Sequence, residues 1–401
     1  MMTSTYSPKG TSSAYRCYRL LGWSFTLTPA RLLLLLLAAI CLGVVLVRLA
    51  TGSQYVTNLT DETPWGLWIA FDVLTGVALA GGGYSTALLV HSFHWKKFAP
   101  VARGALLTSL LGYILVMFGL FLDIGQWFNF WRPFVSWGYT SVLFEVFWCI
   151  SIYTTILSME FTEIITERIF KGFHKHIRKI LPVLLIIGLI FPMMHQSSLG
   201  GLFLIAKDKM FPLWWSEYLP LFFLMSSFFV GSAMVCVESD LARRAYNHAI
   251  PHDVLRGLAR VGGFVMALYL GLKIYDITAK GEWGLLFLNT MQSNLFLCEM
   301  AFGILLPLAI IFSKLSERRF WLMAYAWLVV LGVVFNRMNC VFTSMYASGN
   351  YFPSIGEFAV SIGLVAIGCL VYCFLVENFK ILGKEHAVQR NVTKENIHDL
   401  A

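Results

Sequence analysis

The chain has 401 residues, of which 58% are hydrophobic and only 13% charged, a balance that excludes an ordinary soluble domain and points to a lipid bilayer. Its formal net charge of +8 argues less for nucleic acid than for basic cytoplasmic loops, where a membrane protein concentrates Lys and Arg. The eight cysteines (Cys17, Cys41, Cys149, Cys236, Cys298, Cys340, Cys369 and Cys373) are scattered, with no CxxC pair, and read as small core residues, neither disulfides nor cluster ligands.

Apolar runs predict helices, in chain order, at 30–50, 65–91, 103–123, 140–163, 179–200, 217–239, 257–278, 288–313, 319–338 and 356–377. Each approaches or exceeds the roughly 20 residues that a helix needs to cross the hydrocarbon core. The first run, Leu32 to Val47, ends in Arg48 and lacks a small-residue cleavage site, so it reads as a retained helix and not a signal peptide. The expected fold is therefore an all-α, polytopic integral membrane protein of about ten transmembrane helices. Residues 1–29 form an N-terminal tail, 30–378 the membrane domain and 379–401 a polar C-terminal tail.

Ten spans put both termini on one side. Of the 30 Lys and Arg residues, 23 fall on that side, and only Arg48, Arg132, Lys207, Lys209, Lys273, Lys280 and Arg337 go to the other. The positive-inside rule then makes both termini cytoplasmic. The long outer connections carry Trp127, Phe128, Phe130, Trp131, Trp214 and Trp215, which suit either an interfacial belt or a docking surface for a partner subunit.

An ionisable side chain at mid-bilayer costs on the order of 2.5 to 3.5 kcal/mol, so each one invites a functional explanation. Asp72, Glu145 and His195 are expected in one layer, roughly 8 to 11 Å below the outer surface. A quinone head group requires such a layer, because its two carbonyl oxygens need hydrogen-bond donors and, on two-electron reduction, two protons. His195 supplies a donor near neutral pH, a carboxylate such as Asp72 holds its tautomer, and Gln196, Ser197 and Ser198 add donors. The bland alternative is that His195 caps its helix or bonds a neighbouring carbonyl.

Glu238 and Glu299 are candidate steps, with Glu145, in a proton path from the cytoplasm. Glu238 is equally compatible with snorkelling beside Arg243 and Arg244. Lys273 and Asp276, three residues apart, suggest mutual neutralisation, and Arg337 suggests a structural or snorkelling cation. The run Gly81, Gly82, Gly83 lacks a strand–loop–helix context and fits close helix packing or an apolar quinone tail, not a nucleotide. Of nine histidines only His195 lies well inside a span, whereas a bis-histidine haem needs two; neither haem nor an iron-sulfur cluster is expected.

The motifs PWGLWIAFD, SVLFE, MMHQSSLGG and SIGEFAVSIGLVAIG resemble the membrane subunit of periplasm-facing nickel-iron hydrogenases, within the NrfD/PsrC family of polysulfide-reductase-like membrane subunits. The resemblance runs from about residue 30 to 378 and departs at AGGGY, 80–84, where relatives often carry a cysteine. It implies two four-helix bundles plus flanking helices and menaquinone or ubiquinone as substrate. It also implies a periplasmic ferredoxin-like iron-sulfur partner, hydrogenase small and large subunits, and no haem despite the family's historic cytochrome b label. By local context it matches Glu145 and Glu238 to proton transfer, and Asp72 and His195 to the quinone side.

The expected function is a membrane-anchoring, quinone-binding subunit rather than an independent enzyme. The same role for a molybdopterin and iron-sulfur oxidoreductase, a secondary transporter and a pure structural anchor are the alternatives. The topology is testable: a reporter fused after Leu400 should be active only when it is one that works in the cytoplasm, and activity solely of a periplasmic reporter would reverse the orientation.

Overall fold

The computed structural model describes residues 16–20, 23–60, 66–166, 171–345 and 351–382. Among the described residues are ten helices long and apolar enough to cross a membrane. These are α1 (Pro29–Thr51), α2 (Leu67–Ser92), α3 (Lys96–Asp123), α4 (Val142–Thr166), α5 (Lys171–Gly201), α6 (Leu219–Tyr246), α7 (His252–Lys280), α8 (Met291–Phe312), α9 (Arg319–Thr343) and α10 (Ile355–Asn378). The protein is an all-α polytopic membrane protein. Helices α2 to α5 pack as one four-helix bundle and α6 to α9 as a second, while α1 and α10 pair and lean on α3.

Local chemistry explains the helix ends. Thr28 accepts from Arg31 N–H and Pro29 opens α1, whereas Ser354 and Glu357 form a reciprocal capping box at the start of α10. Asn247, in the left-handed region, ends α6. The outward face of α1 carries Leu32, Leu33, Leu36, Leu42 and Leu46, all exposed, as suits a helix bathed in lipid. By contrast α6 is the most enclosed span, with 72% of its apolar window buried.

Helix α2, expected as one unbroken run, is interrupted at Ala80–Gly81 and ends in a π-turn at Leu88–Ser92. Ser109 of α3 inserts there, accepting from Gly83 N–H at 2.7 Å and donating to the Ala80 carbonyl. A side chain that enters the backbone ladder in this way accounts for the break. The glycine run serves close packing: a Cβ on Gly231 of α6 would stand 2.5 Å from the Gly81 carbonyl carbon. Two further π-turns lie at Ala301–Leu305 in α8 and Asn339–Thr343 in α9.

The N-terminal region, expected as a tail, carries a two-stranded antiparallel hairpin, β1 (Arg16–Leu20) and β2 (Trp23–Leu27). Its free edge finds partners on α10, since Ser24 N–H donates to Asn378 Oδ1 at 2.9 Å and Thr26 N–H to Glu377 Oε2 at 3.2 Å. The hairpin thus brings the start of the described chain to the C-terminal end of α10. Residues 383–401 lie outside the described residues.

The glycine contact yields a stability test. Gly231→Val should lower the stability of the detergent-solubilised protein by about 1–3 kcal/mol, read as a fall in its thermal unfolding midpoint. Gly43→Val, with nothing within 4 Å, should leave it unchanged. Equal midpoints for both would refute the close contact.

Candidate functional site

His195 sits three residues after Pro192 in α5 and has no solvent exposure. Its Nδ1 donates to the Phe191 carbonyl at 3.0 Å, because a carbonyl can only accept; Nε2 then accepts from the Tyr113 hydroxyl of α3 at 2.7 Å. Tyr113 and Tyr153 of α4 meet edge to face, 4.6 Å between centroids, and both rings border the imidazole. The carbonyl bond of the bland reading is present, but so is a phenol placed to exchange a proton. Both ring nitrogens are engaged within the protein. Gln196, one residue on, turns toward α2 and donates to the Val77 carbonyl at 2.9 Å, while Ser197 is half-buried.

Glu145 is half-buried at the start of α4 and accepts from Ser198 Oγ of α5 at 2.7 Å. It lines a cleft of about 560 Å³ with Trp137, Tyr139, Phe144 and Trp148. Trp137 and Trp148 stack at 5.5 Å. An aromatic-walled cleft with one carboxylate has the make-up of a site for a flat apolar molecule with polar ends.

Asp72 shares the depth of these groups but not their site. It stands five residues past Leu67, Glu145 three past Val142 and His195 six before Gly201, or about 8, 5 and 9 Å from their helix ends. Yet Asp72 and Val77 are five positions apart, roughly 140° around α2, so the face that meets Gln196 is not the face that carries Asp72. The Asp72 carboxylate turns to α10 and accepts from Ser361 Oγ at 2.5 Å, with Trp68 donating to Ser361 in turn. Asp123 and Glu357 are its charged neighbours, and Arg48 stands beside Asp123.

Glu238 does not snorkel. Arg243, Arg244 and Arg319 all converge on Asp240, at 3.0, 2.8 and 3.1 Å. The Glu238 carboxyl points instead into the seam with α3 and α10, where Tyr372 donates to Oε1 at 2.7 Å and the Thr108 hydroxyl of α3 is its other neighbour. Gly104 of α3 makes the room, for a Cβ there would stand 2.6 Å from Oε1.

Glu299 belongs to the second bundle. It accepts from Trp214 Nε1 at 3.0 Å, Asn336 Nδ2 at 2.7 Å and Asn339 Nδ2 at 2.8 Å. The two π-turns of α8 and α9 lie directly beside it, a distortion that recurs at functional sites. Arg337 is neither exposed nor snorkelling: it is fully buried, donates to Ser226 and lies 3.7 Å over the Phe223 ring. Lys273 and Asp276 do not neutralise each other by contact. Asp276 takes Lys280 at 2.8 Å, and Lys273 lies over the rings of Phe222 and Phe296. The structure therefore brings Glu145, Ser198 and His195 to neighbouring turns, and keeps Asp72, Glu238 and Glu299 in separate surroundings.

Sequence reasoning missed Tyr113, Tyr153 and Glu160, the last of which is buried on α4 against Gly188 of α5. A tyrosine in an apolar span carries no charge to flag it, and Glu160 reads as a helix-end residue beside Glu163. Among the described residues no group of three or more His, Cys, Asp or Glu side chains is placed to hold a metal ion.

Ten spans in two bundles, with buried carboxylates and an aromatic cleft, define a polytopic membrane protein. The chain belongs to the family described as polysulphide reductase, NrfD, which matches residues 55–347. It is 34% identical over 370 residues to a protein of Nitratidesulfovibrio vulgaris, covering 89% of this chain and 95% of that one. It is 32% identical over 356 residues to the probable Ni/Fe-hydrogenase 2 b-type cytochrome subunit of Escherichia coli, covering 86% and 90%. The menaquinone reductase integral membrane subunit of Nitratidesulfovibrio vulgaris is 24% identical over 384 residues, covering 86% and 89%.

The environment of Glu299 gives a second stability test. Glu299→Ala strands three buried donors and should cost about 3 kcal/mol or more, seen as a lower unfolding midpoint or loss of protein from the membrane. Glu238→Gln, which keeps an acceptor for the Tyr372 and Thr108 hydroxyls, should hold the wild-type midpoint. The reverse ranking would contradict the hydrogen bonding described.

Proposed function

We propose that this chain anchors an oxidoreductase complex in the membrane and passes electrons from an iron-sulfur partner to menaquinone or ubiquinone, with protons supplied by buried side chains. The single observation that carries the reading is the cleft of Glu145, with its aromatic walls, one helical turn from the His195–Tyr113–Tyr153 cluster. A quinone seated in this cleft, against the faces of Trp137, Trp148 and Phe144, would meet Glu145 and Ser198 at its head group. Two electrons and two protons convert it to the quinol. Glu145 delivers the first proton, and the second comes through the His195 cluster.

Resupply follows hydroxyl groups. Thr108 is hydrogen-bonded to Glu238, and the Tyr84 hydroxyl, 2.7 Å from Ser227 Oγ, interacts with Tyr113 and Tyr153. These steps support a route from Glu238 through Thr108 and Tyr84 to Tyr113 and His195, without Glu299. Glu299, with three donors, is then a structural carboxylate. Asp72 supports the outer seam of α2 and α10 and acts on the quinone side through Ser361 and Trp68. The hydrogenase assignment, with small and large subunits and a ferredoxin-like partner on the periplasmic face, draws support from the Escherichia coli relative. On this reading the membrane is the bacterial inner membrane and both termini are cytoplasmic.

Glu145→Gln and Tyr113→Phe in the purified complex should each slow reduction of a short-chain naphthoquinone by about 100-fold. Assembly and dye reduction at the catalytic partner should persist. Undiminished quinone reduction in both variants would defeat the assignment, and loss of assembly would favour a purely structural role.

A further inference from the structure

The cleft beside Glu145 extends well past that carboxylate and is graded in polarity along its length. Its polar members, Tyr139, Ser141 and Glu145, stand at the end where α4 begins. Trp148, Cys149 and Ile152 continue it down the same helix and offer ring, thiol and alkyl surface. Positions 145, 148, 149 and 152 have the spacing of one helical stripe, and at 1.5 Å per residue the run from Glu145 to Ile152 covers about 10 Å. Counted from Val142, Ile152 lies about 15 Å along the span, half the depth of a hydrocarbon core of roughly 30 Å. The line does not close there. Met159, two helical turns further on the same stripe, is 49% exposed, so the stripe opens on the lipid-facing surface of α4.

Such a gradient orients an amphipathic ligand. Two carbonyl oxygens find hydrogen-bonding groups only at the end held by Glu145 and Ser198, whereas an isoprenoid chain leaves water most fully by running the other way, into hydrocarbon. The glycine run of α2, the other place considered for a tail, has no room. A Cβ on Gly81 would stand 2.6 Å from the Ser227 carbonyl oxygen, one on Gly82 2.9 Å from the Val235 side chain, and one on Gly83 would strike Ser109. Helices α6 and α3 already fill that groove.

We infer that this stripe of α4 is the tail groove of the quinone site. The head group sits at Glu145, the isoprenoid chain runs along Trp148, Cys149 and Ile152, and the molecule enters sideways from the bilayer past Met159. The groove rests on the reading of the cleft as the quinone site and narrows the substrate to a quinone that carries a chain. Ile152, half-buried and remote from Glu145, meets the tail and not the head group, which makes it the residue that tells tailed from tail-free quinones.

The test uses the whole complex, with reduced viologen as donor, and compares menadione, a naphthoquinone without a chain, with the same ring bearing a prenyl chain. Ile152→Trp fills the groove and should raise the KM for the prenylated quinone about tenfold. The KM for menadione and kcat for both quinones should stay at wild-type values, because a contact made equally in ground and transition states acts on KM alone. Where Ile152→Trp fails to assemble, Ile152→Ala decides, with a rise of about threefold in the same KM. Equal rises for both quinones would make Ile152 part of the head-group pocket and overturn the tail groove. An unchanged KM for both, beside a Glu145→Gln variant slowed with both, would overturn the groove and leave the head-group site standing. Wild-type rates in Glu145→Gln as well would overturn site and groove together.

Discussion

The contact between Gly81 of α2 and Gly231 of α6 is where the two bundles meet backbone to backbone. In hydrocarbon there is little hydrophobic gain from pressing one helix on another, so close approach of small residues supplies the dispersion contact that joins them. Because α6 can come so near, Ser227 reaches the Tyr84 hydroxyl and the Glu238 carboxyl reaches α3 over Gly104. The break in α2 lies beside this contact, where Ser109 of α3 enters the backbone ladder. Ser109 satisfies the backbone groups freed there, as it must where no water competes.

The bundles then diverge in chemistry. The first holds His195, Tyr113 and Tyr153, groups that exchange protons without carrying permanent charge, beside the half-buried Glu145. The second holds Glu299, Arg337, Lys273 and Asp276, each enclosed by amide donors, aromatic faces or an ion pair. A charge so thoroughly partnered is costly to disturb, which favours a rigid frame.

The N-terminal hairpin and α10 complete the frame. Asp72, Asp123 and Glu357 gather near Arg48 at one end of the α1, α2, α3 and α10 group, and Arg31 with Glu377 gathers at the other. The flanking pair of helices thus carries polar contacts at both of its ends and apolar lipid-facing leucines between them.

Much was legible in the chain alone. Ten spans follow from apolar runs of sufficient length, because a bilayer admits no other way to hide twenty peptide groups. The shared depth of Asp72, Glu145 and His195 follows from counting residues along helices with a fixed rise. What depth cannot give is azimuth and neighbour. Only packing decided that Asp72 faces α10 while His195 faces α3, that Arg243 and Arg244 serve Asp240 and leave Glu238 to Tyr372, and that Lys273 rests on rings while Lys280 takes Asp276. Tyrosines, uncharged and common in apolar spans, stood out only once tertiary structure put their hydroxyls against His195 and Glu238. The sequence sets which groups are buried, because burial is a matter of length and hydropathy. Which of them meet is set by the side-to-side contact of helices, and that depends on residues far apart in the chain, such as Gly81 and Gly231.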